Sequence, residues 1–386
     1  MPIGHAEAVN PDIIMITCKR LFFLTAILLL SANFASAENK NKILAGKPEK
    51  PRFTVKDIEW PEKFGDASVC LWKDDAIAAF SLTIDDNCAP DHEWWLETGK
   101  KYGFPITWFV ITDRISGTNS FNGTWEGYKK LIDAGNDVGS HTAMHLHIDE
   151  PGWKDIETEY ADSKKDIEEN IKGHKAFVLA FPGGPNTKLN DQEIAAKYYI
   201  GCRAGSAAIN PANMINYTSI NSIGAINIGN AQFESQDLLT ALEKGRAKRA
   251  QFYRGWYCCH FHLVKPELRE ELSKPFEFLA AKIKSDELWA GLFRDIAMYG
   301  QERDTAKLTV KEVAKDKIVL SLNDEMDDSI FNYPLTVKVR LEPSWKSAEA
   351  MQDSKKVKCR LVTNNGGNYA LIQVVPDIGD VTVTGK

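Results

Sequence analysis

Between residues 76 and 299 the chain alternates near-continuous apolar runs of strand length with longer stretches of helical character. Nothing else in it constrains the fold so strongly. Residues 76–84 form the first apolar run, followed by a helix over 91–102 that Gly103 closes. Residues 106–110 read as a buried strand, 125–134 as a helix and 136–140 as a short strand. A charged helix over 155–172, a strand over 176–181, a helix over 191–197 and a strand over 198–202 continue the pattern. A helix over 236–249, a strand over 255–262 and helices over 275–283 and 286–299 complete it. Strands that lack a polar face are buried on both sides, and helices between them return the chain for parallel pairing. Closure into an α/β barrel is the economical form at this length.

After about residue 303 the period changes to two. Residues 305–310, 317–322, 335–341 and 357–362 alternate polar and apolar side chains, and 369–375 and 381–383 follow suit. Asn364-Asn365-Gly366-Gly367-Asn368 is a hairpin-turn signal. This predicts a small antiparallel β module over 304–386, which either binds carbohydrate or packs against the barrel. The barrel itself is expected over 71–303. Residues 38–70, lysine-rich and dotted with Pro48, Pro51 and Pro61, read as a linker and lead-in.

The N-terminus reads as a signal peptide over residues 1–37. Lys19 and Arg20 precede an apolar run over 21–30, and Ala35-Ser36-Ala37 is the small-residue pattern of a cleavage site. Met15 opens a well-proportioned signal of its own. The run is short for a membrane span and no second long one follows. The expectation is an exported protein, periplasmic or extracellular, with no membrane partner after cleavage. Apart from Cys18, six cysteines remain: Cys70, Cys88, Cys202, Cys258, Cys259 and Cys359. An even number after export allows disulfides without saying which. A net charge of -6 with no basic stripe argues against a nucleic-acid partner.

The chemistry gathers in two places. Asp85-Asp86 ends the first buried strand, the position from which α/β barrels present catalytic groups. Ser140-His141-Thr142-Ala143-Met144-His145-Leu146-His147 is dense in imidazole, in a chain with 8 histidines. If this stretch turns helical, His141 and His145 share one face a turn apart. His147 does not share it, and either points elsewhere or supports the others. One carboxylate and two imidazoles leave an open position on a divalent ion, the plan of a catalytic site, with zinc the default metal. The second carboxylate is then free to act as a base. His262, at the end of the strand over 255–262, is a candidate general acid, and His260 shares its face.

At these residues the chain resembles the polysaccharide deacetylases, the NodB-homology carbohydrate esterases. The family's T-F-D-D-G stands here as Thr83-Ile84-Asp85-Asp86-Asn87, and its H-[ST]-x-x-H as His141-Thr142-Ala143-Met144-His145. Its R-x-P-x-G stands as Ala180-Phe181-Pro182-Gly183-Gly184, and its L-x-H-type motif is approached by Cys259-His260-Phe261-His262. The resemblance implies a distorted (β/α)7 barrel, with the β module appended. It makes Asp85 the general base, Asp86, His141 and His145 the metal ligands, and His262 the general acid. The implied reaction is hydrolysis of acetyl groups from an N-acetylated amino-sugar polymer, with a carbohydrate as partner. An O-deacetylase of acetylated xylan and a catalytically weak carbohydrate-binding relative are the alternatives. Two positions depart from the family. Asn87 replaces a glycine, and Asn tolerates left-handed geometry. Ala180 replaces the arginine that orients the catalytic aspartate, a loss that Arg203, after the next strand, is placed to supply. Pro182, Trp256 and the Trp94-Trp95 pair are candidates for substrate contact.

Overall fold

The computed structural model describes residues 46–55, 59–146, 150–186, 190–206, 208–224 and 254–386. The signal-peptide segment, His147 and the helix expected over 236–249 lie outside the described residues. Among the described residues no helix is long and apolar enough to cross a membrane.

The elements in chain order are Ala67–Val69 (β1), Ala78–Ile84 (β2), His92–Tyr102 (α1), Ile106–Val110 (β3), Trp125–Asp133 (α2) and Asp137–Ser140 (β4). Ile156–Asn170 (α3), Val178–Ala180 (β5), Asp191–Ala195 (α4), Gly201–Arg203 (β6), Ile223–Gly224 (β7) and Trp256–Phe261 (β8) follow. Ser273–Lys284 (α5), Leu288–Ala290 (β9) and Phe293–Thr305 (α6) end the α/β part. Its strands form one curled parallel sheet in the order β6-β5-β4-β3-β2-β8-β7, with β9 added to β2. Arg203 bridges Ile220, and β7 pairs with β8, so residues 220–224 join the two edges. This is the distorted (β/α)7 barrel that the resemblance implies.

The period-two rule sorts each strand into an outer and an inner row. Ala78, Phe80, Leu82 and Ile84 pack outward with Trp95, Trp108 and Val138. Ala79 packs inward with Phe109, Val178, Trp256 and Cys258. The inner row of β2 runs on through Ser81 and Thr83, and Asp85 is next in it. Cys258 and Cys259 fall in the two different clusters, as neighbours on a strand must. On β4 the inner row starts at Asp137, passes Gly139 and ends at His141. A Cβ at Gly139 would lie 2.8 Å from the Phe109 ring and from the Val178 carbonyl, so only glycine fits there.

Lys307–Val313 (β10), Lys317–Asn323 (β11), Leu335–Arg340 (β12), Ala348–Gln352 (β13), Lys355–Val357 (β14), Cys359–Asn364 (β15), Gly367–Val374 (β16) and Val381–Gly385 (β17) build two antiparallel sheets. Their orders are β1-β12-β16-β15 and β10-β11-β17-β13-β14. Asn365 and Gly366, with φ of 44° and 77°, make the two-residue turn between β15 and β16. Ile318, Leu320, Val337, Val339, Ile372 and Val383 share one buried cluster with Trp72, Phe293 and Tyr299 of the barrel. The β module therefore packs on the barrel floor through a continuous core.

Several local expectations give way to pairing between distant segments. Residues 286–299 are not one helix: Leu288–Ala290 pairs in parallel with Ala78–Phe80, and α6 starts only at Phe293. The strand expected over 198–202 shifts to Gly201–Arg203, because its partner β5 is met only there. The lead-in is not all linker, since β1 pairs with β12. The strands β13 and β14 lack the clean alternation that would have announced them. Cys70, Cys88, Cys202 and Cys258 are buried free thiols, and Cys359 is a half-buried one.

Candidate metal centre at the barrel mouth

Beyond Ile84 the chain leaves β2 through three successive left-handed residues, Asp86, Asn87 and Cys88, with φ of 59°, 67° and 44°. Such backbone costs on the order of 1 kcal/mol or more per non-glycine residue and persists only where its surroundings hold it. Asn87 is a large part of that hold. It is fully buried, its Oδ1 accepts from the Ile111 amide at 2.9 Å, and its Nδ2 donates to the Asn122 carbonyl at 3.2 Å. Asparagine at the family's glycine thus keeps the left-handed turn and adds a brace. The turn swings Asp86 away from Asp85, and the two carboxylates face different neighbours.

His141 and His145 meet by a different route from the helix that their spacing suggested. Residues 141–146 form a loop with φ of 67° at Thr142 and 59° at His145. Thr142 N donates to Ser140 Oγ (3.0 Å) and His145 N to Thr142 Oγ1 (2.9 Å). Met144 N donates to the buried Glu159 carboxylate on α3 (2.9 Å). These side chains satisfy backbone donors that a helix would have satisfied itself. The sequence offered no signal for Glu159 beyond its place in a helix.

The loop and the turn bring three donor atoms together. Asp86 Oδ1 lies 3.6 Å from His141 Nε2 and 3.5 Å from His145 Nε2. All three ligand atoms fall within 4.8 Å of one another. Ligands about 2 Å from a tetrahedral ion stand roughly 3.3 Å apart, so the set fits a divalent metal. His141 Nδ1 donates to the Ala180 carbonyl at 2.8 Å, which leaves the Nε2 lone pair facing Asp86. Burial pushes the His141 imidazole down to about 4, outweighing the pull of Asp85, so it is neutral as a ligand must be. His262, half-exposed, has its Nε2 3.7 Å from the other oxygen of Asp86.

Asp85 is buried and so is its partner, Arg203. Arg203 Nη2 donates to Asp85 Oδ2, while Asp85 Oδ1 has no hydrogen-bond partner. Burial raises the pKa of Asp85, but Arg203 and the imidazoles of His141, His260 and His262 together pull it down to about 2. Arg203 Nη1 donates to Ser222 Oγ (2.9 Å), which also meets His260 Nδ1 (2.8 Å). Ser222 was invisible in the sequence, since it stands outside every motif.

Other candidates fall elsewhere. Trp256 is fully buried, donates to Ser81 Oγ and packs on Phe293, so it offers no face to a sugar. Its place in the inner row of β8 makes it core. Trp95 is likewise buried, and Trp94 lies under the Arg269 guanidinium at 4.7 Å. Pro182 sits half-buried in the turn after β5.

Residues 73–199 match the polysaccharide deacetylase family model. Over 359 residues the chain is 34% identical to a gellan lyase from Bacillus sp, covering 86% of this chain and 14% of that protein. It is 27% identical over 124 residues to a putative polysaccharide deacetylase, YxkH, of Bacillus subtilis (strain 168), covering 32% of this chain and 42% of that one. The chain thus spans less than half the length of either relative. Among solved structures, the Streptococcus pyogenes deacetylase PplD in complex with acetate shares 24% identity at a TM-score of 0.33, over 37% of this chain and 62% of that one. The Xyl-CE4 domain of a multidomain xylanase from the hindgut metagenome of Trinervitermes trinervoides shares 14% identity at 0.38, over 57% and 89%. Through its barrel, with the paired carboxylates, the histidine loop and the family model matched over residues 73–199, the chain is similar to the polysaccharide deacetylases.

Proposed function

We propose that the barrel mouth hydrolyses acetyl groups from an N-acetylated amino-sugar polymer, with a divalent metal, zinc by default, and outside the cytoplasm. The observation that carries this is the state of Asp85. One of its oxygens is held by Arg203 and the other is buried without a partner, at the rim of a three-donor cluster. Asp86, His141 and His145 would hold the ion. When bound, it supplies Lewis-acid polarisation and a lowered pKa for water. A base held near 2 accepts a proton only from water made more acidic, so the two features need each other. In this reading Asp85 Oδ1 takes the proton of the attacking water, whose oxygen bonds to the acetyl carbon. Arg203 keeps Asp85 ionised. His262 gives a proton to the amine nitrogen as the C–N bond breaks, and its exposure lets it reload from solvent. Export rests on the N-terminal signal pattern.

An O-deacetylase of acetylated xylan would use the same groups but needs its acid less, because an alkoxide is expelled more readily than an amide nitrogen. The catalytically weak reading rests on Ala180, and the contact of Arg203 with Asp85 weighs against it. The gellan lyase match supports only a shared unit, since it spans 14% of that protein. The test is acetate release from N-acetylglucosamine oligomers and from acetylated xylan, with zinc added or chelated. Chelation should abolish release. Release from xylan alone would move the proposal to the ester, and no acetate from either would sink it.

A further inference from the structure

The family places its orienting arginine at the end of β5. Here that position is Ala180, whose carbonyl is occupied by His141. The cation comes instead from β6, the edge strand of the parallel sheet. From there Arg203 reaches across the barrel mouth to Asp85, and it needs support on the edge where β6 meets the returning chain.

Ser222 stands at that edge. It is fully buried, on the segment 220–224 that joins β6 to β8. Its hydroxyl donates to the Ala204 carbonyl at 2.6 Å. That uses its one proton, so its two lone pairs receive Arg203 Nη1 at 2.9 Å and His260 Nδ1 at 2.8 Å. His260 is therefore the Nδ1–H tautomer by exhaustion of the hydroxyl's capacity. The Phe109 ring, 5.4 Å from the guanidinium carbon, borders Arg203 from β3. The guanidinium plane is thus held at two corners, by Asp85 and by Ser222.

We infer that Ser222 and His260 are positioning residues, and that their hydrogen bonds hold the relocated Arg203 on Asp85. The inference rests on the proposed role of Asp85 as base. A lysine cannot replace Arg203, because one ammonium lacks the planar fork that spans both anchors. Neither Ser222 nor His260 is assigned contact with substrate or metal.

The test uses the full chain and acetate release from N-acetylglucosamine oligomers, with bound metal measured by elemental analysis and the His260 tautomer by ring ¹⁵N shifts. Ser222→Ala should lower kcat by about tenfold to a hundredfold, the scale of a misplaced group, with KM and metal content unchanged. It should also release His260 from the Nδ1–H tautomer. The double variant Ser222→Ala/Arg203→Ala should be no slower than Arg203→Ala alone, since both act through one contact. Where Ser222→Ala does not fold, the pair His260→Asn and His260→Leu decides, because asparagine keeps an N–H donor and should retain more turnover. Wild-type kcat in Ser222→Ala, or equal loss in the two His260 variants, overturns the inference if Asp85→Asn is inactive. If Asp85→Asn is itself active, the reading of the base has failed instead, and the inference falls with it.

Discussion

The inner row of β4 carries a polar residue at each end, and the two ends behave differently. At the barrel floor Asp137 is buried, its Oδ1 accepts from Arg294 Nη1 at 2.8 Å, and His174 Nε2 lies 3.6 Å away. At the mouth Asp85, also buried, pairs with Arg203 beside His141. Both sites are an aspartate, an arginine and imidazole in an apolar wall. Yet burial pushes Asp137 up to about 6 despite Arg294, whereas Asp85 is pulled down to about 2. The difference lies in the burial of the arginine and in the imidazoles gathered around the carboxylate. Arg294 is a quarter exposed and shared with Asp295, while Arg203 is buried and three imidazoles add to it. The floor pair is a structural latch, and the mouth pair keeps a carboxylate ionised where burial alone would neutralise it.

The largest contrast is expected for the histidines. His141→Ala should lose most of its bound metal and slow acetate release by on the order of 10³-fold, since several kcal/mol of charge stabilisation go with the ion. His174→Ala, which removes the bond to the Val138 carbonyl and the imidazole beside Asp137, should keep metal and turnover and lose stability alone. Elemental analysis of both variants checks this, and full occupancy in His141→Ala would place the metal elsewhere.

The carboxylates come next. Asp85→Asn should keep metal and lose about 10²- to 10⁴-fold in turnover, the usual worth of a general base. Asp137→Asn should leave turnover unchanged. Equal losses in the two would erase the distinction between the ends.

Chemical denaturation measures the third contrast. Arg203→Ala strands a buried carboxylate and should cost about 3–5 kcal/mol. Arg294→Ala should cost less, about 1–2 kcal/mol, because Asp137 can take a proton instead of standing charged.

The last contrast is in the pH dependence of stability. Asp137 rises from the ordinary 3.8 to about 6, so between those values the folded state binds more protons than the unfolded one. Stability should therefore fall as pH rises through that window, by on the order of 2–3 kcal/mol, and Asp137→Asn should flatten it. Asp85, depressed, works in the opposite sense: its contribution is present above its ordinary pKa and is lost as pH falls towards 2. A denaturation series between pH 4 and 7 separates the two.

Much of this molecule was legible because strand periodicity is local. Residues 106–110 and the hairpin turn at Asn365-Gly366 stand where the pattern put them, and Asp85-Asp86 ends a buried strand. A strand's alternation also decides which face each residue takes, which is why Asp85, His141 and Arg203 could be expected at one end of one barrel. The sequence by itself thus determined the alternating α/β class, the β module and the residue types of the site.

Tertiary structure decided the rest. Whether His141 and His145 meet on a helix or in a loop depended on Glu159, fourteen residues beyond His145, accepting a backbone bond. Whether Trp256 meets a sugar or the core depended on which row of β8 turned inward. Leu288–Ala290 became a strand only because Ala78–Phe80 offered an open edge. The contact between Arg203 and Asp85 spans 118 positions in the chain and exists because the sheet curls until its edges join. Periodicity says which way a side chain points, but a partner at long range is selected by closure of the sheet, and no local pattern encodes that distance.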